Sequence, residues 1–128
     1  MSANSGPVYS KDLQHQVDTG PAGVRARMRF KGAVIADTLD AIRLEESNYP
    51  RGCYVPRKDV KMEYLTRTEH RSYCPYKGKA SYFTLSVDGK TLPNAIWSYE
   101  QPYDEVSAIR ERVAFYLNKV DRIETVPA

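Results

Sequence analysis

The 128-residue chain predicts a mainly β (α+β) domain, antiparallel in its strand pairing and carrying one or two short helices. Three observations lead there. Apolar and polar residues alternate without a fault through Val24-Arg25-Ala26-Arg27-Met28-Arg29-Phe30 and alternate again from Lys79 to Val87, the period of half-buried strands. Lys31-Gly32 and Asp88-Gly89 follow those runs as two-residue hairpin turns. Composition agrees, because 7 Gly, 8 Pro and 10 Tyr suit a turn-rich β protein better than a helical bundle.

Taken in order, residues 1–23 hold Gly6-Pro7 and Gly20-Pro21 with few aliphatics and predict an extended N-terminal arm, in which His15 is a surface hydrogen-bonder. Residues 24–128 then form a single domain. The first strand, Val24 to Phe30, turns at Lys31-Gly32 into a second over Ala33 to Asp37. A third runs from Ala41 to Glu46 with Ile42 and Leu44 inward. Strict alternation would put Glu46 on that inward face, where it would need a cation such as Arg57 or Lys77; the favoured expectation is that the strand stops at Glu45 and Glu46 faces water.

After the loop Asn48 to Gly52, Cys53-Tyr54-Val55 is a short strand stopped by Pro56. One or two helical turns follow from Arg57 to about Leu65. Thr66 to Arg71 reads as a polar lead-in to the corner Cys74-Pro75-Tyr76-Lys77-Gly78, where proline fixes one backbone angle and glycine frees another. The next strand places Ser81, Phe83, Leu85 and Val87 on one face and Ala80, Tyr82, Thr84 and Ser86 on the other. Its hairpin partner runs from Thr91 to about Glu100, with Pro93 forcing an edge or bulge and Trp97 and Tyr99 sharing a face. Asp104 is a candidate N-cap for an amphipathic helix carrying Val106, Ile109 and Val113. Ala114-Phe115-Tyr116 continues as a strand, and Val120 to Thr125 as a charged edge strand.

A net charge of +3 and a pI of about 8.8 fall short of the footprint of a dedicated nucleic-acid domain, so no nucleic acid is expected as partner. Two cysteines, Cys53 and Cys74, are too few for a disulfide scaffold and lack paired zinc spacing; no metal or cofactor is expected, and the thiols should be free. The opening residues carry neither a charged n-region nor an apolar h-region, and no apolar run reaches the length of a membrane helix, which predicts a cytoplasmic protein with no membrane partner.

The segments Gly32-Ala33-Val34-Ile35-Ala36-Asp37, Tyr54 to Val60, Cys74 to Tyr82, Trp97-Ser98-Tyr99 and Ala114-Phe115-Tyr116 resemble, in order and spacing, the domain-of-unknown-function family 427, over about residues 24–126. The resemblance implies a compact antiparallel domain of the β-tent type, often dimeric, with no established reaction; a homodimer is therefore expected. Zinc-binding β-tent relatives use two cysteine pairs, of which only Cys53 and Cys74 remain here. The family is also filed under a nucleotidyltransferase-like name, but the Gly-Ser turn and paired metal-binding carboxylates of such enzymes are not present.

Three functions stay open on the residues alone. The leading one is a small-molecule-binding domain with a pocket near the corner formed by Tyr82, Trp97, Tyr99 and Tyr116, with Lys77 and Arg57 attracting an anionic or carbonyl group. The rival is an enzyme with Cys74 as nucleophile and Lys77 or His70 as its activating cation. The third is a module that self-associates through its strand edges.

Overall fold

The computed structural model describes Gly6 and residues 17–46, 52–115 and 122–127. Among the described residues ten strands follow the chain: β1 (Val17–Pro21), β2 (Val24–Phe30), β3 (Ala33–Thr38), β4 (Ile42–Glu46), β5 (Gly52–Tyr54), β6 (Leu65–Cys74), β7 (Gly78–Val87), β8 (Lys90–Ser98), β9 (Val113–Phe115) and β10 (Arg122–Pro127). They form three antiparallel sheets in the orders β1-β4-β5, β10-β2-β3 and β6-β7-β8-β9. Helical structure among the described residues is confined to three 3-10 turns at Arg57–Asp59, Met62–Tyr64 and Asp104–Ile109. Among the described residues no helix is long and apolar enough to cross a membrane.

Both predicted hairpins are present, and their turn residues explain why. Lys31 and Gly32 have φ of 50° and 80°, and Asp88 and Gly89 have φ of 49° and 78°, the left-handed pair whose twist matches that of the strands it joins. Pro93 sits where the pairing of β7 with β8 slips between Phe83 and Leu85, and Asn94 takes φ of 52° where β8 holds two extra residues. A second slip in β6 lies between Arg67 and Arg71. Thr68 Oγ1 donates to Asn94 Oδ1 at 2.6 Å, so the two irregularities brace each other.

The four-stranded sheet is covered on both faces, and strand alternation decides which residue goes where. One core cluster takes Phe83, Leu85 and Val87 from β7, Ile96 from β8, and Val113 and Phe115 from β9, and packs them against Ala26, Met28 and Phe30 of β2 and Ile35 and Ala36 of β3. The other takes Ala80, Tyr99 and Ala114, with Tyr82 and Trp97 against them, and joins Leu44, Tyr54, Val106 and Ile109. Val55 and Val113 exchange backbone bonds of 2.8 and 2.9 Å, and Lys61 N donates to Ile35 O at 2.8 Å, which stitches the three sheets together.

Two expectations are corrected. Thr66 to Arg71, read as a polar lead-in, belongs to β6; an edge strand with most of its residues in water shows no alternation to betray it. The helix from Asp104 to Val113 is only a six-residue 3-10 turn, with Tyr103 rather than Asp104 as its cap residue and no side-chain cap. It kinks at Val106, and Glu111, at φ of 61°, donates its amide to Tyr99 O, so the chain leaves helical geometry and Val113 is buried by strand pairing instead. Residues 17–21, within the segment read as an extended arm, are a strand paired to β4 from Val17↔Glu46 to Pro21↔Ile42, and Gly6 N donates to Glu105 Oε1 at 2.9 Å.

Ile96 is fully buried between Phe83 and Phe115 in register. Ile96→Ala should therefore lower the stability by about 2 to 5 kcal/mol, a transfer loss plus a cavity, with an unchanged denaturant slope. Urea unfolding followed by Trp97 emission checks this, and a loss below about 1 kcal/mol would contradict the packing described.

Candidate functional site

The corner between β6 and β7 is built on close approach. Lys77 N donates to Cys74 O at 3.2 Å, closing the turn Pro75-Tyr76-Lys77. Gly78 follows at φ of 108°, and a Cβ there would stand 3.4 Å from Gln101 O and 3.7 Å from Pro102 Cα. The absence of a side chain lets the segment 101–103 cross directly over the corner, where Tyr103 N donates to Lys77 O at 3.1 Å.

On one side of this corner the structure brings together several of the residues singled out by the sequence. Lys77 Nζ donates to Glu46 Oε1 at 2.8 Å, with side-chain exposures of 16% and 5%. The expectation that Glu46 faces water is thus overturned: β4 keeps its alternation through Glu46, and the cation that makes burial tolerable is Lys77. The ammonium also lies 5.9 Å from the centroid of Tyr99. Burial alone would pull Lys77 down, but the hydrogen bond it donates to Glu46 and the neighbouring Tyr54, Cys74 and Glu46 outweigh it, so its pKa is raised. Burial pushes the Tyr54 and Tyr99 hydroxyls up as well; Trp97 Nε1 donates to Tyr54 OH at 3.2 Å and partly offsets this for Tyr54. Burial likewise raises the Cys53 thiol. Both cysteines are free thiols.

Tyr82 and Trp97 pack against the same cluster, with Tyr82 OH 2.8 Å from Ser72 Oγ and the exposed His70 ring edge-on to Tyr82 at 4.4 Å. Arg57 is not part of this group. It lies on the other face of the sheet, 5.7 Å over the Phe83 ring, and donates to Ser98 Oγ at 3.0 Å. Tyr116 lies outside the described residues.

That other face opens beside the corner into a depression of ≈ 700 Å³, lined by Arg71, Tyr73, Gly78, Lys79, Ser81, Glu100, Gln101, Tyr103, Arg110 and Glu111. Its origin is the alternation of β7: Phe83, Leu85 and Val87 are covered by β2 and β3, whereas Ser81 and Lys79, further along the same face, are not part of that core. The register Arg71↔Ser81 and Tyr73↔Lys79 adds an arginine and a ring from β6 on the same side. Tyr73 and Tyr103 share a 2.7 Å hydrogen bond between hydroxyls, their rings nearly perpendicular.

Glu100 closes the floor. Arg67 grips both of its oxygens, at 2.8 and 2.7 Å, Ser81 Oγ donates to Oε1 at 2.8 Å and Arg57 Nη2 to Oε2 at 3.3 Å. The Arg67 fork first, then Ser81 and the charge of Arg57, hold the Glu100 carboxyl down at about 2 against the opposing effect of burial. A carboxyl depressed in the folded state stabilises the fold above its unfolded value of 4.5, and this contribution is lost as the pH falls through about 2.

Sequence reasoning named Lys77 and the rings around it but missed Arg71, Lys79, Glu100, Tyr103 and Arg110. One signal was there: on a face otherwise apolar at Phe83, Leu85 and Val87, position 81 is serine and position 79 lysine, so the core had to end. Among the described residues no three His, Cys, Asp or Glu side chains are grouped to hold a metal ion.

The family described as a domain of unknown function (DUF427) has a sequence model that matches residues 18–126. No curated protein matches the chain.

Removing one member of the Lys77 and Glu46 pair should destabilise the fold more than removing both. Lys77→Met leaves a carboxylate with little access to water, at a cost of about 3 kcal/mol or more, whereas Glu46→Leu with Lys77→Met should recover most of that loss. Chemical denaturation of the two variants checks it; a single substitution costing less than about 1 kcal/mol would show the pair to be a solvated contact.

Proposed function

We propose that this chain, which belongs to the domain of unknown function family DUF427, is a small-molecule-binding domain whose ligand enters the depression beside the corner and carries an anionic group. The observation that carries the reading is the lining itself. A volume of ≈ 700 Å³ falls within the roughly 300–1,000 Å³ of small-molecule sites, and Tyr73 and Tyr103 stand in one wall with Arg71, Lys79 and Arg110 around them. Rings with a polar tip beside a few placed cations suit a planar ligand with an acidic group.

Preorganisation supports the same reading. Gly78 and the bond from Tyr103 to Lys77 tie the two walls together before any ligand arrives, and the Tyr73 ring is held at its hydroxyl. In this reading Lys77, Tyr82, Trp97 and Tyr99 hold the corner from behind, and Arg57 holds Glu100. Catalysis by Cys74 has less in its favour, because a carboxylate 2.8 Å from Lys77 cancels the field a thiolate would use, and His70 rests on Tyr82. Self-association along β6 also has less, since Arg71 Nη1 already takes the carbonyl oxygens of Thr68 and His70 in that edge.

Amide-resolved NMR titration with phenyl phosphate, benzenesulfonate and benzoate tests the proposal. The shifts should gather on residues 71–81 and 100–111, and Lys79→Ala should weaken binding by about 1 to 3 kcal/mol without unfolding the domain. Absence of any shift in those segments at millimolar probe, about the weakest affinity worth calling a site, would contradict it.

A further inference from the structure

We propose that the ligand of this depression is a dianion, the phosphate of a phosphate monoester, and that its planar carrier lies against Tyr73. The inference rests on the binding role proposed above and adds the charge and class of the ligand. Glu100 is the first reason. Its two oxygens accept four hydrogen bonds from Arg67, Ser81 and Arg57, so its charge is more than matched by two guanidinium groups and its acceptor positions are filled. It neither repels an anion strongly nor offers an acceptor to a neutral polyol.

What remains around the opening is three cations, Arg71, Lys79 and Arg110, against one carboxylate, Glu111, which stands 4.0 Å from Arg110. Among the described lining residues this leaves an excess of two positive charges, with one more from Arg57 and Arg67 over Glu100 beside them, which a dianion neutralises further than a monoanion. Arg71 is also set in place, because its Nη1 donates to Thr68 O and His70 O at 2.7 Å each, and its other nitrogens make no bond among the described residues. A guanidinium pinned at one nitrogen with the rest of its planar fork open is suited to the oxygens of a phosphate.

The carrier follows from size and from Tyr73. The depression is much larger than a lone phosphate needs, and Tyr73 is 54% exposed while its hydroxyl is tied to Tyr103. A large ring that is exposed yet fixed offers a flat apolar face at the rim, beside Lys79 in register.

The experiment compares phenyl phosphate, inorganic phosphate and benzenesulfonate by isothermal titration and by amide shifts at several pH values. The ionisable groups at the opening are Arg71, Lys79 and Arg110, Glu100 and Glu111, and the two tyrosines; His70 lies on the opposite face against Tyr82. Phenyl phosphate should bind at least about tenfold more tightly than the sulfonate near pH 7, an advantage that shrinks towards pH 5 as the phosphate dianion takes up a proton near about 6 and becomes a monoanion. Inorganic phosphate should bind more weakly than phenyl phosphate, and Arg71→Ala with Lys79→Ala should abolish the preference over the sulfonate. Equal affinity for phosphate and sulfonate across this range would overturn the dianion, and equal affinity for free phosphate and the phenyl ester would overturn the carrier. Shifts with the sulfonate or benzoate but not with the phosphates would leave the binding role standing and end this inference; silence from every probe would end both.

Discussion

Lys77 is attached at two points beyond its own turn, and the site depends on both attachments. Its ammonium is drawn to Glu46 at the end of β4, and its carbonyl oxygen accepts the amide of Tyr103. The first contact ties the sheet β1-β4-β5 to the corner; the second ties the corner to the segment that leads into the last 3-10 turn. A buried ion pair seldom stabilises a fold more than apolar residues of the same size would. What it does supply here is position, since among the described residues the enclosed ammonium meets the Glu46 carboxylate and the turn is held where that carboxylate lies.

Everything in front of the corner follows from strand parity. β7 runs from the corner into the middle of the molecule, and its odd-numbered side chains change from polar at Lys79 and Ser81 to apolar from Phe83 onwards. The covering layer of β2 and β3 meets only the apolar part, so the polar part is left as an open floor. A floor of polar groups next to a core needs its charges matched, and Glu100 does this with a bidentate arginine, a second arginine and a serine drawn from β6, the Arg57–Asp59 turn and β7. The same residues that end the core therefore shape the opening.

Much of this was legible in the residues. Lys31-Gly32 and Asp88-Gly89 announce their hairpins because few other pairs accept two consecutive left-handed conformations, and Pro93 announces a slip because it cannot donate in a ladder. The parity of Glu46 was visible too, and Lys77, like Arg57, was legible as a cation it could meet; the choice of Lys77, 31 residues further on, is made by tertiary structure alone. β6 was hidden because an edge strand in water has no apolar face to mark it. The spacing of Val106, Ile109 and Val113 imitated a helix although two different elements bury them. Arg71, Glu100 and Arg110 could not be joined to the site from sequence, since each is an ordinary surface charge until register and a crossing segment bring them to one opening.

The claim on which the account turns is that the corner and the segment 101–103 form one rigid unit before any ligand binds. Native-state hydrogen exchange at the Tyr103 amide tests it most directly, because that amide is bonded to Lys77 O and belongs to no strand. The account predicts that in the native protein it exchanges as slowly as the Val55 amide, which bonds to Val113 O in the core, and that in Lys77→Met the Tyr103 amide speeds up by more than the Val55 amide, which follows only the loss of global stability. A Tyr103 amide that exchanges at the rate of an exposed loop in the native protein would contradict it.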